Sequence, residues 1–152
     1  MPVVEGKSDL IHDPRAGDTP PDPQRARGEL ISMVGAVSNL GTDSDTSMYH
    51  LADIPSDAIV HPDTVFDVEN WGFAQVVIGT ETDTDALLDV AKSAATTQSP
   101  FAFGDANHGK AWWEALGLAS DPGGFISLYA HAEANATGAG SMPFCIAYLT
   151  SH

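Results

Sequence analysis

From residue 29 onward, apolar side chains recur at every second position, in short runs cut by Gly, Pro, Asp and Ser. In LISMVGAVSNL, Ile31, Met33 and Val37 share one side and Ser32 and Ser38 the other, the period of a strand with one buried face. GTDSD reads as a turn, and TSMYHLADIP as a second strand that Pro55 stops. AIVHPDTVFDVENW holds one or two more strands, interrupted at Pro62, and AQVVIGTE places Val76 and Ile78 on one side. SPFAFGD reads as a further short strand. In FISLYAHAEA, Ile126, Leu128, Ala130, Ala132 and Ala134 alternate with Phe125, Ser127, Tyr129, His131 and Glu133. PFCIAYLTS closes the chain with Phe144, Ile146 and Tyr148 on one face. With Gly-rich NATGAGS between them, the last two segments are expected to pair as an antiparallel hairpin.

Two segments break the period. In TDTDALLDVAKSAAT, Leu87, Val90, Ala91 and Ala94 fit helical spacing, with Asp83 or Thr84 as cap, which predicts a short helix. In GKAWWEALGLASDPGG, Trp112, Trp113 and Leu116 fall on one side of a two-turn helix over 111–118, ended by Gly117 and Asp121-Pro122-Gly123-Gly124. A helix this short does not persist alone. Packing has to hold it, and the two indoles supply the area, so the segment is expected to plug one end of a β-core rather than to form an exposed docking surface. Six to eight short strands at nearly regular spacing predict a mainly-β fold: an antiparallel β-sandwich or jelly-roll-like barrel with one or two short helices and an extended N-terminal arm.

That arm is expected over residues 1–28, with a single β-sandwich domain over 29–152. DPRAGDTPPDPQRARG is rich in proline and poor in apolar residues, too poor to offset its ordering entropy. It is either a frayed terminus or a segment that orders on a neighbouring subunit, for which Val3, Val4, Leu10 and Ile11 are the available apolar anchors. Charge divides the chain at the same place. Residues 1–27 carry four of the six basic residues and five acidic ones; the remainder carries two basic and sixteen acidic, so a near-neutral arm is joined to a strongly acidic body. Such a body repels phosphates and anionic lipid, and neither nucleic acid nor membrane is an expected partner. No run approaches the roughly 20 apolar residues of a membrane span, and MPVVEGKSDLIHDP lacks the basic start and apolar core of an export signal.

Candidate chemistry is sparse. Cys145 is the one cysteine, so it has no disulfide partner within the chain, and it reads as a small buried hydrophobe on a strand. None of the six histidines, His12, His50, His61, His108, His131 and His152, shares an HxH, HxxxH or HxxEH spacing. His50 and His131 can meet across strands as a cupin-like metal pair, or simply be hydrogen-bonded strand histidines. Asp43/Asp45 and Asp83/Asp85 suit a cation loop or ordinary turns; the further ligands of an EF-hand loop are missing, which favours turns. There is no GxSxG, no P-loop and no GxGxxG before a helix. A glycan-active carboxylate pair would want aromatic platforms, for which Trp71 and Trp113 are the only candidates. No catalytic, cofactor-binding or metal-binding residue is assigned, and no cofactor is expected.

The segment DSDTSMYHLADIPSDAIV, through Asp43, Ser44, Asp45, Ser47, Tyr49, Ile54, Pro55, Ser56, Ala58 and Val60, resembles a group of small tailed-bacteriophage proteins encoded beside the major capsid protein. WEALGLASDP, through Trp113, Glu114, Leu116, Gly117, Leu118, Asp121 and Pro122, matches the late motif of the same group. The resemblance runs from about residue 29 to 150, and none of its motifs is a catalytic signature. It implies a virion structural protein and not an enzyme: a head cement or decoration protein made in the host bacterial cytoplasm. Its place would be the outer face of an HK97-type capsid, bridging major capsid protein subunits and touching neighbouring copies of itself, as trimers in many such proteins. The competing expectations are another virion component, such as a head-tail connector, tail or fibre-associated protein, and a β-sandwich that binds carbohydrate or a host surface.

Overall fold

The computed structural model describes residues 3–12, 15, 17 and 19–150. Pro14 of the proline-rich run and His152 lie outside the described residues. Among the described residues nine strands form two antiparallel sheets packed face to face. The first sheet runs β1 (Glu29–Asn39), β9 (Gly140–Thr150), β4 (Val65–Asp67), β7 (Thr97–Gln98), with β3 (Ile59–Val60) also paired to β9. The second runs β2 (Met48–Pro55), β8 (Phe125–His131), β5 (Gln75–Gly79), β6 (Leu88–Ala91). Both sheets have free edges, so the fold is a β-sandwich and not a closed barrel.

The core is what the alternation predicts. Ile54, Val76, Ile78, Ile126, Leu128 and Ala130 point inward from the second sheet, and Phe66, Met142, Phe144, Ile146 and Tyr148 from the first. Trp71 and Trp112 are buried between them. Ile31, Met33 and Val37 pack against this core but stay half-buried, because β1 is an edge strand. Cys145 lies on β9 as expected, yet it faces outward beside Val34 and Val65 and is only half-buried.

Three local expectations are corrected. β8 and β9 are not a hairpin: β8 pairs with β2 and β5, while β9 pairs with β1 over eleven residues, from Glu29↔Thr150 to Asn39↔Gly140. Residues 132–139 cross from one sheet to the other, a longer link than the two to five residues of a tight hairpin loop. The segment expected to be a helix is β6 followed by a 3₁₀ turn, Lys92–Ala94. Leu88 and Val90 alternate with exposed Asp89 and Ala91, and the free edge of β5 supplies the partner that decides between the two periods. SPFAFGD is not a strand; β7 lies just before it, and Phe101 enters the core from a loop.

The α-helices among the described residues are α1 (Pro23–Arg27) and α2 (Trp112–Ala115). α1 falls inside the arm, which is therefore not extended throughout. Asp22 caps it by accepting from the Gln24 amide at 3.0 Å, and Pro23 opens its first turn.

Candidate functional site

Four-residue α2 is held by the chain segment before it. Its first backbone N–H groups have no partners within the helix. Trp112 N–H donates to the Ala58 carbonyl at 2.8 Å, and Trp113 N–H to that of Ser56 at 3.1 Å. Glu114 turns back to accept from the Ala111 amide at 3.2 Å. Val60 N–H donates to Lys110, and Ile59 bridges Ala111. Beyond the helix, the Ser56 hydroxyl donates to the Asp121 carboxylate at 2.5 Å, and Ser56 N–H to the Gly124 carbonyl at 2.9 Å. The segment around Ile54–Val60 and the segment around Trp113–Pro122 are thus one structural unit. Trp112 is fully buried, its ring edge-on to Phe101 at 5.1 Å, which makes α2 the plug of the core; Trp113 is half-buried.

The polar groups with possible chemistry are spent on the fold. The Asp43 carboxylate accepts from the Tyr49 hydroxyl at 2.5 Å and from the Leu40 amide, which is turn chemistry, and the Asp45 backbone N–H donates to the Asn135 side chain. His50 lies on the outward face of the second sheet, 2.7 Å from Asp53, with its ring stacked on Tyr129. His131 is buried, and its Nε2 donates to the Thr80 carbonyl at 2.7 Å. Tyr129 stands between the two rings, so the structure does not bring them together as a ligand pair. Among the described residues no group of three or more His, Cys, Asp or Glu converges on a point. Trp71 is in the core, edge-on to Tyr49, and is not available as a sugar platform.

Several carboxylates are held below their usual range by hydrogen bonds they accept. For Asp121 the donor is the Ser56 hydroxyl, then the Gly123 amide; for Asp43 it is Tyr49, then Leu40; for Asp53 it is Ser127, then His50. A depressed folded-state pKa stabilises the fold above the unfolded value, about 3.9, and that contribution is lost as pH falls through the folded value. The difference in melting temperature between the wild type and Asp121→Asn is therefore expected to be present at neutral pH and to close below about pH 4. A thermal-melt series over pH checks this; a gap that persists in acid would show that the Asp121 carboxylate charge plays no part.

What the body leaves unburied is the arm. The Asp9 carboxylate pairs with the Arg25 guanidinium, tying the leading segment to α1, and Gln24 reaches the Leu149 carbonyl at the end of β9. A cavity of about 430 Å³ lies between arm and body, with Leu10 and Arg25 on one side and Ile59, His61, Phe103 and Leu149 on the other. Of the four anchors expected from sequence, Val3 is 96% exposed, Val4 78% and Ile11 58%; Leu10 is 42% exposed and lines this cavity. None of the described residues of the arm belongs to the core. Phe103, Phe125 and Val34 are large apolar side chains exposed on the body, to which sequence reasoning attached no role. The chain matches no family model, no curated protein and no solved structure.

Proposed function

We propose that this protein is a capsid cement or decoration protein of a tailed bacteriophage, bound to the outer face of the assembled head and bridging major capsid protein subunits. The resemblance of residues 29–150 to small phage head proteins supplies the shell as partner. The observation that carries the reading is the arm: a near-neutral segment whose Val3, Val4 and Ile11 its own core does not bury, joined to an acidic body. Apolar side chains kept in water gain free energy, roughly 1.5–3 kcal/mol for each one fully buried, when a neighbouring surface covers them. A bridging protein needs such contacts and no catalytic group. Acidic faces turned outward would keep the particles apart.

The experiment is co-sedimentation of the full chain with phage heads that lack their decoration protein. Saturation at one copy, or one small oligomer, per repeating shell position is expected. The triple variant Val3→Ser, Val4→Ser, Ile11→Ser is expected to bind at least tenfold more weakly, since each 1.4 kcal/mol is a factor of ten, with its melting temperature unchanged. Absence of shell binding by the full chain would overturn the reading. Binding at only a few copies per particle would replace it with a connector or tail component.

A further inference from the structure

Four strands end the two sheets, and three are protected against pairing with another chain. β7 has two residues; β6 has four and carries Asp89. β2 is broken by an irregularity between His50 and Ala52, carries Asp53 and ends on Pro55. Short length, bulges, charges and proline are the usual devices that blunt a sheet edge. β1 has a single charge, Glu29 at its first residue, and none of the other devices. It pairs with β9 over eleven consecutive residues without a register shift, spans about 37 Å at strand rise, and contains no proline or lysine. Only its β9 side is paired; among the described residues no strand occupies the other side.

Charge singles out the same element. The protein has 21 acidic and 6 basic residues, yet residues 30–42 contain none of either. Two copies of a chain with net charge −15 repel each other over most of their surfaces. Along β1 they can meet without opposing carboxylates. The strand also matches itself. Antiparallel pairing centred on Val34 sets Ile31 opposite the partner's Val37 and Met33 opposite the partner's Gly35 on the inner face. On the outer face Val34 meets the partner's Val34, and Ser32 meets the partner's Ala36. Ile31, Met33 and Val37 are the core-facing side chains left half-buried by the missing neighbour.

We propose that two copies of this protein join edge to edge through β1, antiparallel about a twofold axis, so that the first sheet runs continuously across both. Such a contact is the same patch on each copy, and it satisfies the outward N–H and C=O groups of both strands. It is a property of the protein alone and stands apart from shell binding.

The test is sedimentation equilibrium of the full chain up to about 100 µM, with hydrogen exchange read along β1. A concentration-dependent dimer is expected, with alternate β1 amides protected and losing protection on dilution. Val34 is 84% exposed, so Val34→Glu leaves the fold intact by circular dichroism; it sets two carboxylates face to face and is expected to weaken the dimer at least tenfold. Phe125→Glu, at an exposed position on the second sheet, is expected to leave it unchanged. A monomer throughout the range overturns the proposal. So does a dimer that tolerates Val34→Glu, or protection of β1 that arises only when shells are added, which would give the edge to a strand of another protein.

Discussion

Trp112→Ala is expected to lower the unfolding free energy by about 3–5 kcal/mol, the range for removing a large aromatic from a core that cannot collapse around the gap. The side chain is fully buried and stands edge-on to Phe101, with Leu116 buried one turn later. α2 has no independent stability to fall back on, because a single turn is far below the length at which helices persist in water. Its position rests on the indole and on the two hydrogen bonds that the Trp112 and Trp113 N–H groups donate to the Ala58 and Ser56 carbonyls. Trp112→Phe is expected to cost less than half as much. It keeps a ring against Phe101 and removes the one buried side-chain donor, Nε1, that has no partner among the described residues. An unpaired buried donor carries a penalty of about 1–3 kcal/mol, which its deletion returns. Trp113→Ala, at a half-buried position, is expected to fall below both. Urea unfolding of the three variants gives the ranking. A Trp112→Ala protein within about 1 kcal/mol of wild type would mean that α2 covers the core without closing it.

Period-two alternation made β1, β2, β5, β8 and β9 legible, because each has one face in the core and five or more residues to show it. It fails where the window is short. Leu87, Val90, Ala91 and Ala94 fit the helical period while Leu88 and Val90 fit the strand period, and only the free edge of β5 chooses the strand. It also says which face is buried and nothing of which strand lies beside it. β8 and β9 look like a hairpin in sequence, and they sit in opposite sheets because residues 132–139 make their bonds to the 43–47 turn and to Gly72 instead of to each other. The same gap hid the structural unit around α2. Ser56 and Asp121 are 65 positions apart, and nothing in either motif announces the bond between them. His50 and His131 were reachable as a pair only through a register that the sequence does not carry; the register puts Tyr129 between them. One signal for the crossing was present. The glycines of NATGAGS mark a place where backbones approach closely, and Gly140 is such a place: a Cβ there would lie 2.1 Å from the Asn70 carbonyl oxygen.

Asn39→Ala is expected to be the second most damaging substitution, costing about 2–4 kcal/mol through the polar groups it would strand. Asn39 ends β1 and is 4% exposed. Its Nδ2 donates to the Gly138 carbonyl at 2.9 Å and to that of Leu40 at 3.1 Å, while its Oδ1 accepts from the Gly72 amide at 3.1 Å. One side chain thus ties the end of β1, the loop after Trp71 and the crossing into β9. Thr137 adds its amide and hydroxyl to the Gly72 carbonyl, and Ser141 N–H donates to Asn70. Alanine leaves the Gly72 N–H without its acceptor and the Gly138 carbonyl without its donor, in a place too crowded for a substitute. Asp in place of Asn is a sharper probe than alanine. Asn39→Asp keeps the acceptor for Gly72 but turns the donor into a second acceptor, facing two carbonyls, so its cost is expected to shrink as pH falls and the carboxyl protonates. Gly72→Ala reaches the same point from the other side, since its Cβ would lie 2.2 Å from Nδ2 of Asn39 and 2.3 Å from the Gly138 oxygen. The two sites touch, and their effects are expected to fall short of additive in the double variant. Chemical denaturation of the singles and the double decides it. Full additivity would mean that Asn39 and Gly72 act separately.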